Sequence, residues 1–179
     1  MSSSITSGAF IPDMYHKYEM RGFMTPSGKV EIYSQRLAES GHDPLPVYRE
    51  PAESPVSRPE LAREYPLVLI AGTKLEAYTH SMMRNIPGLR EHTPENLVEI
   101  HPDTASELAI GNGEMVEVSS PRGSIRCRAH VTDSIDPRVA HAYHGFRESN
   151  CNVLTDHKAF DPITGSVGMK SLLCRVAKI

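Results

Sequence analysis

Side chains able to bind a ligand follow directly on an apolar run in residues 65–89, which read YPLVLIAGTKLEAYTHSMMRNIPGL. The run from Leu67 to Ile70 is short and is soon followed by Gly72, a pattern typical of a buried strand rather than a helix. The polar side chains after it are Lys74, Glu76, Tyr78, Thr79, His80, Ser81, Arg84 and Asn85. A strand that ends in a polar loop often places binding groups on a rigid scaffold. The spacing predicts either such a binding loop or an ordinary solvated turn.

A second polar stretch covers residues 149–166 and reads SNCNVLTDHKAFDPITGS. Loops of this length in compact domains are often functional. The amides of Asn150 and Asn152 donate and accept hydrogen bonds at once, which suits the edge of a heteroaromatic ring. The alternative is that both amides bond only to the backbone of their own loop.

Metal-binding and nucleophilic motifs are weak in this sequence. His141, His144 and Cys151 are conceivable metal ligands, but no second pair completes a tetrahedral set. Cys127, Cys151 and Cys174 contain no C-x-x-C pair, which disfavours a disulfide framework and a zinc or iron–sulfur motif. Reduced thiols in a cytoplasmic setting are therefore expected. Neither a phosphate-binding loop nor a G-x-S-x-G nucleophile elbow occurs.

Length, composition and charge limit the classes of protein to which this sequence could belong. The chain has 179 residues, of which 39% are hydrophobic and 23% charged, as in a globular domain with a core of its own. Its formal net charge of −3 gives no support for nucleic-acid binding, which normally needs a basic face. No apolar run approaches the roughly 20 residues of a membrane span. The N-terminal sequence MSSSITSGAF does not resemble a signal peptide.

Short strands are predicted over most of the chain after residue 65. Their expected positions are residues 67–70, 97–100, 115–118, 124–133, 139–143 and 172–176, with a short helix over 102–108. The clearest alternation places Ile125, Cys127, Ala129 and Val131 on one face of a strand. Many short strands with few helices predict a mostly β protein with a closed or partly closed barrel.

The first third of the chain is expected to be an extended arm. A turn at residues 25–28 should lead into a short strand over 29–33, and a short helix over 34–40 should end at Gly41. Six prolines between residues 43 and 66 predict an extended connection without a regular helix or central strand. The predicted division is an arm with a linker over residues 1–64 and a barrel domain over residues 65–179.

Several segments, in the same order, resemble one known family. They read GFMTPSGKVEIYS, DPLPVYREP, YPLVLIAGTKLEAYTHSMMRNIPGL, VEIHPDTASELAIGNGEMVEVSSPRGSIRCRAHVT and NVLTDHKAFDPITGSVGMKSLLCRV. The succession resembles the C-terminal part of the DMSO reductase family of molybdenum and tungsten enzymes, which includes formate dehydrogenases, nitrate and polysulfide reductases and acetylene hydratase. The resemblance covers nearly the whole chain after about Gly22. It implies a molybdopterin guanine dinucleotide-binding domain with the six-stranded double-psi β-barrel fold, which is also that of aspartate decarboxylase.

The resemblance also implies cofactor-binding residues. In the loop after the first barrel strand these are Ala71, Gly72, Thr73, Lys74, Leu75, His80, Ser81 and Met82. Relatives often carry an arginine where Thr73 stands, and Lys74 is expected to supply that charge. An N-x-L-T pattern falls on Asn152, a lysine before the last strand corresponds to Lys170, and a residue about eight positions before the asparagine corresponds to His144. Backbone N–H groups with a nearby cation suit a pyrophosphate, and an amide suits a pterin or guanine edge.

The family's iron–sulfur cysteines, its metal ligand and the other half of the dinucleotide site lie in upstream domains, and nothing in this sequence resembles them. The chain is therefore expected to be a C-terminal part or a separate small subunit of a molybdenum or tungsten oxidoreductase. Its expected partners are the upstream catalytic domains or large subunit, and alone it should catalyse nothing. An export signal of the full enzyme would precede those domains.

Two other classes of protein stay open at this point. The first is a stand-alone barrel enzyme of the decarboxylase type, which needs a self-processing Gly-Ser bond such as Gly123–Ser124 or Gly165–Ser166. Intact mass would reveal the cleavage. The second is an interaction module that docks a partner through the proline-rich arm, and protease protection of the arm without any partner would test it.

Overall fold

Six strands close into a barrel in the computed structural model, which describes residues 15–73 and 75–179. They are β1 (Leu67–Ile70), β2 (Leu97–Ile100), β3 (Met115–Ser120), β4 (Gly123–Val131), β5 (Val139–Ala142) and β6 (Leu172–Lys178). Their order around the barrel is β1-β5-β2-β4-β3-β6. The pairs β1–β5 and β2–β4 are parallel, and the other neighbouring pairs are antiparallel. The chain therefore has the double-psi barrel fold, and the predicted fold class is confirmed.

The barrel interior is filled by the alternate residues of its strands. Leu69, Val98 and Val116 are completely buried, as the period-2 pattern of a strand requires for its inward face. Ala140 and Ala142 of β5 are also completely buried, and their small side chains leave room for the larger residues opposite. A small barrel filled in this way has no ligand channel, so a binding site must lie at its rim.

Short helices connect the strands and precede them. They are α1 (Lys17–Arg21), α2 (Gln35–Glu39), α3 (Pro59–Ala62), α4 (Pro87–His92) and α5 (Pro102–Glu107), with a 3-10 helix over Cys151–Leu154. The side chain of Ser34 caps α2 by accepting a hydrogen bond from the Leu37 N–H, at 3.3 Å. The predicted helices over 34–40 and 102–108 are confirmed in type and differ in length by one or two residues. Among the described residues, no helix is long and apolar enough to cross a membrane.

Two predictions for the arm are wrong. The segment over 29–33 is not a strand, because it pairs with no other strand and its apolar residues Val30 and Ile32 are exposed. A side-chain hydrogen bond ties the segment to the preceding turn instead: the Ser27 N–H donates to the Glu31 carboxylate at 2.9 Å. The proline-rich segment does contain a regular turn of helix, α3. Pro59 occupies its first turn, where the missing N–H of proline costs nothing.

The described residues fall into two compact units, one ending at Arg49 and one running from Glu50 to Ile179. Residues 50–66 therefore belong with the barrel. Glu53 ties them to it: its carboxylate accepts hydrogen bonds from the Arg122 guanidinium, at 2.5 and 3.0 Å, and from the Leu173 N–H at 2.6 Å. The predicted arm boundary between residues 64 and 65 falls inside this second unit.

Candidate functional site

A groove of about 840 Å³ lies at the rim of the barrel. One wall is formed jointly by the loops after β1 (residues 71–86, the β1 loop) and after β5 (residues 143–150, the β5 loop), which line it at residues 80–85 and 144–150. Arg90 of α4, the segment before β2, the 3-10 helix and the side chains of β3 and β4 complete the lining. β1 and β5 are parallel neighbours with Ile70 opposite His141, so the loops that follow them begin side by side. The groove is a direct consequence of the barrel topology.

The β1 and β5 loops touch through their backbones. The His144 N–H donates to the Thr73 carbonyl at 2.9 Å. Gly145 has a φ of 104°, and a Cβ added there would lie 2.4 Å from the His80 carbonyl oxygen. His80 itself has a left-handed φ of 54°, which is uncommon for a residue with a side chain. Glycine at 145 is therefore what allows the two loops to approach this closely.

Arg84 joins the two loops through its side chain. Its guanidinium donates to the Gly145 carbonyl at 3.0 Å and lies 3.6 Å from the Glu148 carboxylate. The guanidinium carbon lies 3.9 Å from the centre of the Phe146 ring, within cation–π range. The Arg84 side chain is only 17% exposed. The sequence shows Arg84 as one of the polar residues after β1 but does not indicate its role, because its partners lie some 60 positions away in the chain.

The side chain of Asn96 forms hydrogen bonds with the backbone at both ends of the β5 loop. Its buried amide donates to the carbonyls of Tyr143, at 2.9 Å, and Ser149, at 3.2 Å, and accepts from the Tyr143 N–H at 3.2 Å. The Cys151 thiol also donates to the Tyr143 carbonyl, at 3.2 Å. Sequence reasoning missed Asn96, and a single asparagine ahead of a strand gives no signal that would reveal it.

Positive charge dominates the groove in the part of the chain that the structure describes. Its lining contains four arginines, named here the groove arginines, and two glutamates: Arg84, Arg90, Arg126 and Arg147 against Glu95 and Glu148. Glu95 pairs with Arg128, with 2.8 Å between carboxylate and guanidinium. The groove is thus locally cationic although the whole chain carries −3. Guanidinium groups recognise phosphate oxygens well, so the groove suits an anionic ligand with phosphates.

Neither described thiol at the groove is activated as a nucleophile. Burial raises the pKa of Cys127, whose side chain lines the groove, to about 12. Burial also raises the pKa of Cys151 to about 11. A thiol with so high a pKa is protonated at neutral pH, and the thiolate is the reactive form.

The structure brings together some of the residues that the resemblance implied. His80, Ser81, His144 and Asn152 line the groove, and the rings of the two histidines lie edge to face with centres 5.4 Å apart. Thr73 meets the β5 loop through its carbonyl, as described above. Lys74 lies outside the described residues.

The other implied residues do not line the groove. Ala71 is buried at the end of β1 and its N–H donates to the Met169 carbonyl at 2.7 Å. Gly72 packs against the Met169 side chain, and the Leu75 carbonyl accepts from the Tyr78 N–H at 3.1 Å. The remaining two, Met82 and Lys170, are exposed. The binding roles of all these residues stay predictions.

The three conceivable metal ligands have separate partners or locations. His141 Nδ1 lies 2.7 Å from the Glu99 carboxylate, which also accepts from the Tyr143 hydroxyl at 2.7 Å on the outer face of the barrel. Cys151 bonds the Tyr143 carbonyl, and His144 lies at the groove. Within residues 15–73 and 75–179, no group of three or more histidine, cysteine, aspartate or glutamate side chains is arranged to hold a metal ion.

The barrel carries a cationic groove that suits a phosphate-bearing ligand, and comparison with known proteins identifies the family. The model of the family described as "Molydopterin dinucleotide binding domain" matches residues 67–173. The chain belongs to this family. The match also confirms the resemblance to the DMSO reductase family.

Individual relatives agree with the family match. The chain is 40% identical over 116 residues to acetylene hydratase of Syntrophotalea acetylenica, covering 65% of this chain and 16% of the relative. It is 34% identical over 174 residues to dopamine dehydroxylase of Eggerthella lenta, covering 88% of this chain and 17% of the relative. The solved structure of acetylene hydratase from Pelobacter acetylenicus superposes with a TM-score of 0.77 at 29% identity, covering 89% of this chain and 24% of that one. The chain thus spans about a sixth of the length of these curated relatives.

Proposed function

We propose that the groove holds part of a molybdopterin guanine dinucleotide and that the chain serves as a cofactor-binding domain of a larger molybdenum or tungsten oxidoreductase. The observation that carries the proposal is the concentration of four arginines at one groove of an otherwise acidic chain. The groove belongs to a domain of the molydopterin dinucleotide binding family. A dinucleotide contributes a pyrophosphate, and the groove arginines supply the matching charge.

The donor set of the groove fits both chemical parts of such a ligand. Its volume of about 840 Å³ lies within the range of small-molecule sites, roughly 300–1,000 Å³. Asn85, Asn150 and Asn152 add side-chain amides, which pair with the donor and acceptor atoms of a heteroaromatic ring. The Asn150 amide oxygen already accepts from the Asn152 N–H at 3.1 Å. Both side chains are exposed at the groove, but the oxygen of Asn150 is already used, so Asn152 is the better placed of the two to face a base.

Each residue has a role that follows from its position. Arg84 and Ser81 would hold phosphate oxygens from the β1 loop, and Asn152 would pair with the guanine or pterin edge from the opposite wall. Gly145 lets the β5 loop lie against the backbone of His80 and Ser81. The cofactor, when bound, supplies the metal-centred redox chemistry, and the residues of this chain bind and orient it.

The enzyme as a whole is larger than this domain in the proposal. The metal ligand, any iron–sulfur cluster and the second half of the dinucleotide site would come from other domains or a large subunit, and the unit ahead of Glu50 would contact those domains. The free, buried thiols accord with a reducing compartment, and the cytoplasm is the proposed location. The purified chain alone should show no turnover with viologen dyes, and robust turnover would contradict the proposal.

A titration of the 179-residue chain with GDP, followed by amide NMR, tests the binding site. We expect shifts in the β1 loop, in the β5 loop and at Asn152. Arg84→Gln should weaken binding, while Arg138→Gln should leave it unchanged because Arg138 is 85% exposed and pairs with Asp136 away from the groove. Shifts confined to other surfaces, or equal binding by both variants, would contradict the assignment of the groove.

A further inference from the structure

A largely buried ion pair lies behind one wall of the groove. Glu53 and Arg122 are joined by two parallel hydrogen bonds, and their side chains are only 11% and 21% exposed. Glu53 comes from the segment ahead of the barrel, and Arg122 from the turn between β3 and β4. Such a bidentate pair fixes the orientation of the guanidinium as well as its charge.

The guanidinium of Arg122 also holds the 3-10 helix. Its Nε–H donates to the Leu154 carbonyl at 3.0 Å, and the Ser120 hydroxyl donates to the same oxygen, also at 3.0 Å. Leu154 is the last residue of the helix whose exposed residue Asn152 lines the groove. The helix lies close to the barrel here, since a Cβ added to Gly123 would approach Val153 Cγ1 to 2.6 Å.

These contacts form a continuous series of hydrogen bonds from Glu53 through Arg122 to the 3-10 helix at the groove. Without the carboxylate, Arg122 would keep a poorly solvated charge and would lose the partner that aims its Nε–H at the helix. The Leu154 carbonyl would then keep the hydrogen bond from the Ser120 hydroxyl but lose the one from the Arg122 guanidinium. A shift of the helix moves Asn152 relative to the opposite wall.

We propose that Glu53 and Arg122 are positioning residues for the dinucleotide, acting through the 3-10 helix that presents Asn152. This inference rests on the proposed function of the groove. It adds a role for a segment outside the family match, which begins at residue 67. The segment ahead of the barrel thereby affects the position of Asn152, and so the binding of the dinucleotide, without contacting the ligand.

The test compares Glu53→Gln with Glu60→Gln. Glutamine at 53 retains an acceptor for the Leu173 N–H but cannot accept two bonds from Arg122. Glu60 is the matched control, since it belongs to the same segment and pairs with Arg58 on the exposed surface. GDP affinity is measured by calorimetry, and native-state hydrogen exchange is measured at the Val153 and Thr155 amides, which bond within the helix.

Glu53→Gln should weaken GDP binding about tenfold, a change equivalent to about 1.4 kcal/mol. It should also speed exchange at Val153 and Thr155 while amides of the β-sheet keep their rates, which separates a local shift from general destabilisation. Glu60→Gln should change neither quantity. Unchanged affinity in Glu53→Gln would overturn the proposal, as would faster exchange throughout the barrel.

A second variant, Arg122→Lys, keeps the positive charge beside Glu53 but not the fork that reaches both the carboxylate and Leu154. It should reproduce the loss of affinity, and wild-type affinity would overturn the proposal. If the wild-type chain does not bind GDP, the proposed function of the groove fails. The exchange rates then decide only whether the pair positions the 3-10 helix: faster exchange at Val153 and Thr155 in Glu53→Gln supports that positioning, and unchanged rates overturn it.

Discussion

Replacing Gly145 with alanine should separate the two loops that form the groove. At a φ of 104° an alanine adopts the left-handed backbone conformation that L residues disfavour, which costs about 1–2 kcal/mol. Its Cβ would also meet the His80 carbonyl oxygen at 2.4 Å, whereas ordinary van der Waals contact begins at 3.4 Å. The obstacle is backbone, so it cannot be relieved by rotating a flexible side chain.

The expected cost is the sum of these two effects. Overpacking of this kind typically costs about 1–3 kcal/mol, so Gly145→Ala should lower the free energy of unfolding by about 2–5 kcal/mol. That is a large share of the stability of an ordinary domain, about 5–15 kcal/mol. Relief requires the β5 loop to move away from the β1 loop, which should also weaken GDP binding.

Gly113→Ala is the matched control. Gly113 has a similar positive φ of 81°, but a Cβ there meets nothing within 4 Å. Its cost should therefore be the left-handed penalty alone, about 1–2 kcal/mol, with GDP affinity unchanged. Urea unfolding of both variants, with calorimetry of GDP binding, measures the difference. Equal losses of stability, or wild-type affinity in Gly145→Ala, would refute the reasoning about the contact between the loops.

Four further predictions concern single side chains. Arg84→Gln removes a charged hydrogen bond to the β5 loop and should weaken GDP binding about tenfold by calorimetry, with wild-type affinity as the contrary result. Burial, together with the Glu99 carboxylate, raises the pKa of Tyr143 to about 12, so Glu99→Gln should move the phenolate absorbance titration toward its ordinary 10.0. Burial raises the pKa of Glu99, but hydrogen bonds from His141 and Tyr143 lower it by more, so it lies below the ordinary 4.5. Glu99 thus adds stability above pH 4.5 that is lost as pH falls through the folded-state pKa, and urea unfolding of Glu99→Gln should lack this acid-side loss. Burial also keeps Cys127 protonated, so mass mapping at pH 8 should find its thiol unlabelled by a disulfide reagent until urea unfolds the chain.

The strands were predictable because their signal is local. The alternation of Ile125, Cys127 and Ala129 in β4 places these side chains inside the barrel, and each is buried as expected. The same pattern at Val30 and Ile32 predicted a strand that does not form. Alternation gives a strand only where a neighbouring strand can accept its hydrogen bonds, and that neighbour cannot be read from the segment itself.

The residues that shape the groove were harder to predict because their partners are distant in sequence. Arg84 and Gly145 are 61 positions apart, and Asn96 and Tyr143 are 47 apart. A polar loop after β1 was visible as a candidate site, but which of its side chains face another loop depends on how the barrel closes. The resemblance implied binding roles for His144 and Asn152. It implied none for Arg84 and Asn96, whose side chains hydrogen-bond to the surrounding backbone.

The two walls of the groove therefore differ in what determines them. The β1 and β5 loops must meet, since Ile70 and His141 are opposite each other in parallel strands and the chain leaves both at the same rim. Any sequence that closes this barrel starts both loops side by side, so substitutions there change how closely the loops approach each other and not where they begin. The 3-10 helix has no such topological guarantee. Besides the burial of Cys151 and Leu154, its place depends on Ser120 and on Arg122, which is paired with Glu53, 69 positions earlier in the chain. We therefore expect the wall that carries Asn152 to be where substitutions outside the barrel alter cofactor binding, while the opposite wall responds chiefly to substitutions in its own two loops.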